Sequence, residues 1–317
     1  MSSPKFLKNV AIVGAGGNSG KFMAEALVAG GKHTVTAITR HESKSPIPSG
    51  VQVAKVDYDD HESLVAALKG QDALIITLGV TAPHDQQRRL LRAAAEAKVP
   101  WVLPNEWSPD TEDEGVVRDV RAFTDRPKIR EEIAAEGKLA YISVTTGFWY
   151  EWSVPIPSAF GFDIDNRTAT LFDEGETPIS VSTWPQIGRA VAALLSLPSD
   201  KLEAYRNKQV YINSFTITQK EMLASLQRVT GTSESDWTII KQSVTERYSQ
   251  GQVELGKGDR VGFVKMMYSR IFFPDGNGNF EKRRGLANAA LGLPKEDLDE
   301  ATKRATDRGS AAYRTSA

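Results

Sequence analysis

NVAIVGAGGNSG, residues 9–20, decides the fold. Val10 to Val13 are continuously apolar, as a parallel strand covered by helices on both faces requires, and glycines follow at once. Gly14, Gly17 and Gly20 recur in the spacing G-x-x-G-x-x-G, with Ser19 standing where the stricter G-x-G-x-x-G pattern counted from Gly14 and Gly16 wants glycine. A glycine at the turn permits positive φ, a second lets backbone approach a pyrophosphate, and a third on the first helical turn lets helix and strand pack closely. A diphosphate would rest on the free N–H groups at the helix N-terminus, so Gly14, Gly16, Gly17, Asn18, Ser19 and Gly20 are candidate cofactor-binding residues. The competing reading is an ordinary glycine-rich turn; the flanking strand and helix signals favour dinucleotide binding.

The chain has 317 residues, 40% hydrophobic and 25% charged, enough for one large domain or two unequal ones. A formal charge of -1 offers no field for nucleic acid or an anionic membrane. Cysteine is absent and the four histidines are scattered, so neither a thiolate nucleophile nor a metal site is expected. The N-terminal MSSPKFLKN has no apolar core and no run approaches the ~18 apolar residues of a membrane span, which makes a cytoplasmic location the default.

Outward from the glycines, KFMAEALVAG reads as a helix stopped by Gly30 and Gly31, and HTVTAIT as a second strand ending at Arg40. This position separates the two nicotinamide cofactors. An acidic residue would bind the adenosine ribose hydroxyls, whereas Arg40, helped by His41 or Lys44, suits a 2′-phosphate, so NADP(H) is expected rather than NAD. A third strand, VQVAKVDY, ends in Asp57 and Tyr58; the Asp57 carboxylate accepts either from the adenine amino group or from the backbone at the entry of the helix DDHESLVAALKG. The fourth strand finishes with Leu78, Gly79 and Val80, where a small residue lets backbone approach the cofactor ribose. HDQQRRLLRAAAEAK is the next helix, and WVLPNEW is a fifth strand with its exit, placing Asn105 beside the cofactor and Trp107 beside a substrate. The alternation βαβαβαβαβ through residue 107 predicts an α/β fold with a doubly wound parallel sheet (Rossmann type) and its crevice at the strand C-termini.

The loop EWSPDTEDE, 106–114, is strongly acidic; such runs are usually solvated, and one bordering the pocket would disfavour highly anionic substrates. A Glu- and Lys-rich helix over 127–137 precedes LAYISVTTGFWYEW, a sixth strand running into aromatics that serve either as core or as a substrate surface, with Phe148 and Trp149 the candidates. TATLFDEGETPISVST reads as strand, turn and strand, WPQIGRAVAALLSL as a helix with Pro185 in its first turn, and QVYINS as a strand, all returning to the sheet. ITQKEMLASLQRVTG, QSVTERYSQGQVELG, the stretch around VGFVKMMYSRIFF and KEDLDEATKRA read as helices of a smaller lobe over the crevice. The loop 274–280 is either a flap, with Phe273 a substrate contact, or a surface turn after core residues. The expected domains are a dinucleotide-binding unit over 1–152, to which 180–214 return, and a mostly helical substrate-binding lobe over 153–317.

GAGGNSG, Arg40, VPWVLPNEW, KIREEIAAEG followed by YISVTTGFW, NKQVYINSFTITQKEMLASL and DGNGNFEKRRGLANAALGLPKEDLDE together resemble the NmrA-like, isoflavone-reductase-like family of atypical short-chain dehydrogenases, its fungal members in particular. The resemblance spans nearly the whole chain. It implies an NADP-binding Rossmann domain, a smaller substrate lobe and, in the reductase branch, hydride transfer from NADPH to a small, often aromatic, electrophile. A typical short-chain dehydrogenase carries Tyr-x-x-x-Lys, and no tyrosine here has lysine four residues on. The reductases it resembles use a lysine in a pattern of Phe, two residues, Lys, then Arg four later, which here reads Phe123, Arg126 and Arg130. Arginine holds the lysine's place, and a guanidinium stays protonated far above neutral pH. Pro127 disfavours helix at Arg126, so the helix is expected to start one residue later than in the family; Lys128 is then either a solvated lysine on the first turn or, brought towards the pocket, the proton donor, with Arg126 a cofactor-phosphate or orienting contact. A second departure is Gln186, where the family commonly has Asp before Ile-Gly. Two functions follow: an NADPH-dependent reductase of a small, largely apolar or aromatic carbonyl, enone or benzylic carbon, or a dinucleotide-sensing regulator of the NmrA type without turnover.

Overall fold

The computed structural model describes residues 6–79 and 81–309, so Val80, expected beside the cofactor, lies outside the described residues. The first half alternates as β1 (Asn9–Val13), α1 (Gly20–Ala29), β2 (Thr34–Arg40), β3 (Gln52–Val56), α2 (His61–Leu68), β4 (Ala73–Ile76), α3 (Gln86–Glu96) and β5 (Trp101–Leu103). The chain continues through α4 (Glu114–Asp119), α5 (Asp125–Glu136) and β6 (Ala140–Thr145). Beyond these come β7 (Phe148–Trp149), α6 (Tyr150–Ser153), α7 (Pro157–Phe160), β8 (Phe162–Asp163), β9 (Thr168–Phe172), β10 (Ile179–Ser182), α8 (Trp184–Leu195), α9 (Ser199–Leu202) and β11 (Lys208–Tyr211). The C-terminal part holds β12 (Phe215–Ile217), α10 (Gln219–Thr230), β13 (Thr238–Gln242), α11 (Val244–Gly256), α12 (Arg260–Ile271), α13 (Phe280–Arg284) and α14 (Leu298–Arg308).

Seven strands form one parallel sheet in the order β11-β6-β5-β4-β1-β2-β3, the doubly wound arrangement expected. Strand β1 is central and buried on both faces: Val10 and Ile12 join the core with α1 and α8, while Ala11 and Val13 join the core with α2, α3 and α5. Each face therefore excludes water, which is why the strand is continuously apolar rather than alternating. Helix α8 is begun by Thr183, whose hydroxyl accepts from Gln186 N at 3.1 Å, with Pro185 in the first turn where its missing N–H is not needed. It crosses α1 at very short range: a Cβ on Gly188 would lie 2.3 Å from Phe22 O.

The strands TATLF and PISVS do not form a hairpin in the main sheet. Asp173 N donates to Gln242 O at 2.8 Å, tying β9 to β13, and β9 pairs on its other side with β8. Strand β10 instead lies between β7 and β12 in a second small sheet. Only β11 of this region enters the large sheet, pairing with β6. Strand β13 escapes the sequence reading because Thr238 to Lys241 are all exposed and show no alternation. A separate aromatic-rich core lies under α10, α12 and α14, with Phe160, Phe172, Phe272 and Tyr268 at its centre. Helix α10 carries a full capping box between Thr218 and Glu221 and ends at Gly231 in the left-handed region. No helix among the described residues is long and apolar enough to cross a membrane.

Gly188→Val should lower stability by about 1–3 kcal/mol, since the added carbons meet backbone that cannot give way locally. Urea unfolding followed by tryptophan fluorescence will read this as a lower midpoint at unchanged slope; an unchanged midpoint would mean that the α1–α8 crossing is looser than described.

Candidate active site

The glycine turn is built for close approach. Gly14 has φ +85°, and a Cβ there would lie 2.1 Å from Thr77 O; a Cβ on Gly20 would lie 2.1 Å from Gly14 O. The turn is closed by Gly17 N donating to Gly14 O at 2.9 Å. Gly17 and Asn18 are exposed, a Cβ on Gly17 would meet within 4 Å only Gly14 O, at 3.1 Å, and α1 has no acidic residue in its first turn and no side-chain cap from Ser19. These are the features that a diphosphate needs: open space above bare N–H groups at a helix N-terminus. A Cβ on Gly16 would meet Pro46 O at 2.7 Å, so the loop after β2 packs against this turn.

The neighbouring strand exit is held by Asn105. Its side chain accepts from Leu78 N at 3.1 Å and donates to Leu78 O at 3.2 Å, with Gly79 exposed beyond it. Trp107 donates from its indole to Ile76 O at 2.8 Å and is buried, so it anchors the β5 exit to β4 and belongs to the core. At and after the end of β2, Arg40 and Lys44 are exposed, and Arg40 Nε lies 3.4 Å from Glu42 Oε1. Asp57 accepts from Asp59 N at 2.8 Å, the backbone role, while Asp60 caps α2. The Tyr58 hydroxyl donates to Ile38 O at 3.0 Å, and burial pushes its pKa up to about 12.

The acidic run is not a solvated face. Glu106, Asp110 and Asp113 are buried, and each meets an arginine: Glu106 with Arg130, Asp110 with Arg284 at 3.0 Å, and Asp113 with Arg283 at 2.5 Å. Asp119 adds Arg270 at 2.7 Å, which with Arg118 holds its carboxyl below the usual range against the opposing effect of burial. Charge neutralised in this way disappears from the crevice wall, and Glu112 and Glu114 are the members of the 106–114 run that remain exposed.

Helix α5 begins at Asp125, ahead of Pro127, which corrects the expected later start. A 3-10 turn over Arg121–Phe123 already commits the chain to a helical path, and the N–H that Pro127 lacks falls among the first-turn donors that have no intrahelical partner. Arg126 therefore lies on the first turn, half-buried, and turns inward. Its guanidinium donates to the Ser108 hydroxyl and stacks over Phe123, 4.6 Å from the ring centroid. Burial pushes its pKa down to about 10, with Glu106 opposing and Arg130 reinforcing, so it remains a cation at neutral pH. Lys128 does not reach the crevice: its side chain is 64% exposed and its ammonium is 3.8 Å from Asp125. The helix start without the expected shift is the reason for this second correction.

Ser108 joins the site by an unanticipated route. Its carbonyl accepts from Thr146 N and Gly147 N, both at 3.1 Å, which fixes the β5 and β6 exits together and holds the hydroxyl under Arg126. Of the expected substrate contacts, Phe148 stacks on Tyr268 with centroids 3.8 Å apart inside the second core, and Phe273 is packed between Tyr248 and Arg270. The loop 274–280 is tied down by Asn277 Nδ2 donating to Asp113 at 2.9 Å and by Gly278 O accepting from Ser180 N at 2.9 Å. Trp149 is half-buried, and Trp184 lies 6.2 Å from it and stacks on Phe22 of α1. Gln186, at the other departure, is buried, donating to Pro294 O at 2.9 Å and accepting from Arg189.

This glycine turn and the adjoining elements match the model of the NmrA-like family over residues 7–249. The chain belongs to that family. Among curated relatives, the oxidoreductase aprR of Aspergillus flavus is 30% identical over 295 residues, covering 92% of this chain and 96% of the relative. Among solved structures, an isoflavone reductase superposes with a TM-score of 0.77 at 20% identity, covering 94% of this chain and 99% of that one. AtPrR2 solved with NADP+ and (+)pinoresinol superposes with a TM-score of 0.72 at 17% identity, covering 95% and 99%. This NmrA-like chain thus has the fold of isoflavone reductase, with arginine at the lysine position of the motif that the resemblance supplies.

Arg130→Ala should cost about 3–5 kcal/mol of stability, because it leaves Glu106 buried without its cation. Arg130→Met combined with Glu106→Leu should recover most of that loss in urea unfolding; a double variant as unstable as Arg130→Ala would show that the pair's surroundings, rather than its charge, carry the cost.

Proposed function

We propose that this NmrA-like chain is an NADPH-dependent reductase of a small, largely apolar or aromatic electrophile, a carbonyl, an enone or a benzylic carbon. The observation that carries the reading is Arg126, a half-buried cation held at Ser108 beside the strand exits where a Rossmann sheet takes its ligand. Gly14, Gly16, Gly17, Asn18, Ser19 and Gly20 would hold the diphosphate, Arg40 and Lys44 the 2′-phosphate, and Leu78, Gly79 and Asn105 the neighbouring ribose. The open face above Gly17 and the uncapped α1 fit that group. Bound NADPH supplies a hydride. Arg126 would hydrogen-bond the substrate oxygen as negative charge develops there, with water delivering the proton, since a guanidinium near 10 stays protonated through the neutral range. Ser108 fixes the orientation of that guanidinium, and the rings of Trp149, Trp184 and Phe22 offer an apolar wall. The neighbour solved with NADP+ and (+)pinoresinol supports a nicotinamide cofactor and a small molecule on this fold.

A second reading, a dinucleotide-sensing regulatory protein without turnover, is favoured by the same substitution, because arginine removes the lysine on which the resemblance places proton donation. Turnover against a panel of enones, aldehydes and benzylic ethers decides between the two. NADPH oxidation by the wild type supports the reductase; its absence across the panel, with oxidation acquired by Arg126→Lys, supports the regulator.

NADPH should bind at least about tenfold more tightly than NADH, a difference of about 1.4 kcal/mol, and Arg40→Ala should erase most of it. Calorimetric titration of both cofactors checks this, and equal affinities would sink the NADP assignment. Arg126→Ala should lower kcat by about 10², whereas Lys128→Ala should leave it within about twofold. The kcat profile should stay flat through neutral pH and fall only as pH rises through about 10, where the cation is lost; a fall near pH 7 would assign the step to another group.

A further inference from the structure

Strand β3 is the free edge of the large sheet, and Lys55 stands on it in register with Thr39. An exposed edge lysine normally pairs with a carboxylate or faces water. Lys55 instead turns its ammonium into the loop after β2, donating to Arg40 O at 3.3 Å, His41 O at 3.2 Å and Ser43 O at 3.3 Å. All three protons of the ammonium are thereby used on backbone carbonyls.

The orientation of these carbonyls has a consequence for the opposite side of the loop. The peptides are trans, and in a trans peptide the N–H points away from the C=O. With the carbonyls of Arg40, His41 and Ser43 gathered onto one ammonium, the N–H groups of His41, Glu42 and Lys44 project away from it. Ser43 N closes a turn onto Arg40 O at 3.1 Å. The loop carries the side chains of Arg40, which lies 3.4 Å from the Glu42 carboxylate, and Lys44, and it continues to Pro46, which packs on the glycine turn at Gly16.

We propose that Lys55 is the positioning residue that shapes this loop into the receptor for the cofactor's 2′-phosphate, and so sets the preference for NADPH over NADH; this rests on the cofactor reading above. Without the ammonium the three carbonyls lose their common partner, and the loop that carries Arg40 and Lys44 loses the clamp that sets its shape.

The test is titration of the whole chain with NADPH and with NADH, by calorimetry or tryptophan fluorescence, in the wild type, Lys55→Met and Lys55→Arg. Lys55→Met should weaken NADPH about tenfold and NADH by less than about twofold, and Lys55→Arg, which keeps charge and donors, should recover most of the loss. Unfolding midpoints measured alongside identify a variant that has lost its fold, and Lys55→Gln then replaces Lys55→Met. If the wild type prefers NADPH and Lys55→Met keeps that preference, Lys55 has no such role while the cofactor reading stands. If the wild type binds both cofactors alike, or neither, the cofactor reading fails and takes this inference with it.

Discussion

Buried carboxylates meeting arginines hold the segment at the strand exits of this molecule together. The buried Glu106, Asp110 and Asp113 and the partly buried Asp119 lie on the segment that leaves β5, and their partners come from far along the chain: Arg130 on α5, Arg270 on α12, and Arg283 and Arg284 on α13. A carboxylate taken out of water without a cation would cost several kcal/mol, so each pair is effectively obligatory once the segment packs. Arginine suits the task because its planar fork engages several oxygens at once: Arg130 meets the Glu106 carboxylate together with the hydroxyl and carbonyl of Thr111. The pairs tie the C-terminal helices to the sheet exits, and the position of Ser108 depends on them.

Arg126 takes its role from that frame. Its neighbours are Ser108, Phe123 and the Glu106–Arg130 pair, a setting in which a cation is partly desolvated yet kept charged. A lysine there would be a compact titratable ammonium able to give up a proton. A guanidinium offers fixed hydrogen bonds and lasting charge instead. The substitution therefore shifts the chemistry available at this point from proton donation to electrostatic stabilisation, and it is the feature on which reductase and regulator readings part.

The doubly wound sheet, the glycine turn and the order of its helices are legible in the chain alone, because apolar runs, glycine spacing and caps are local signals that one strand and its following helix carry. The sequence also made Arg126 conspicuous as an arginine in a lysine's place. What it did not contain was direction. Whether Lys128 or Arg126 turned inward depended on one residue of helix start, which Pro127 alone argued one way and the preceding 3-10 turn decided the other. The acidic run read as solvated because its arginines lie up to 174 residues away and pair with it only after the lobe has closed. The same holds for β9, whose partner β13 lies beyond three helices, and for Lys55, whose three carbonyl contacts exist only once β3 lies beside β2. Contacts between distant segments are created by packing, and no local pattern of residue types records them.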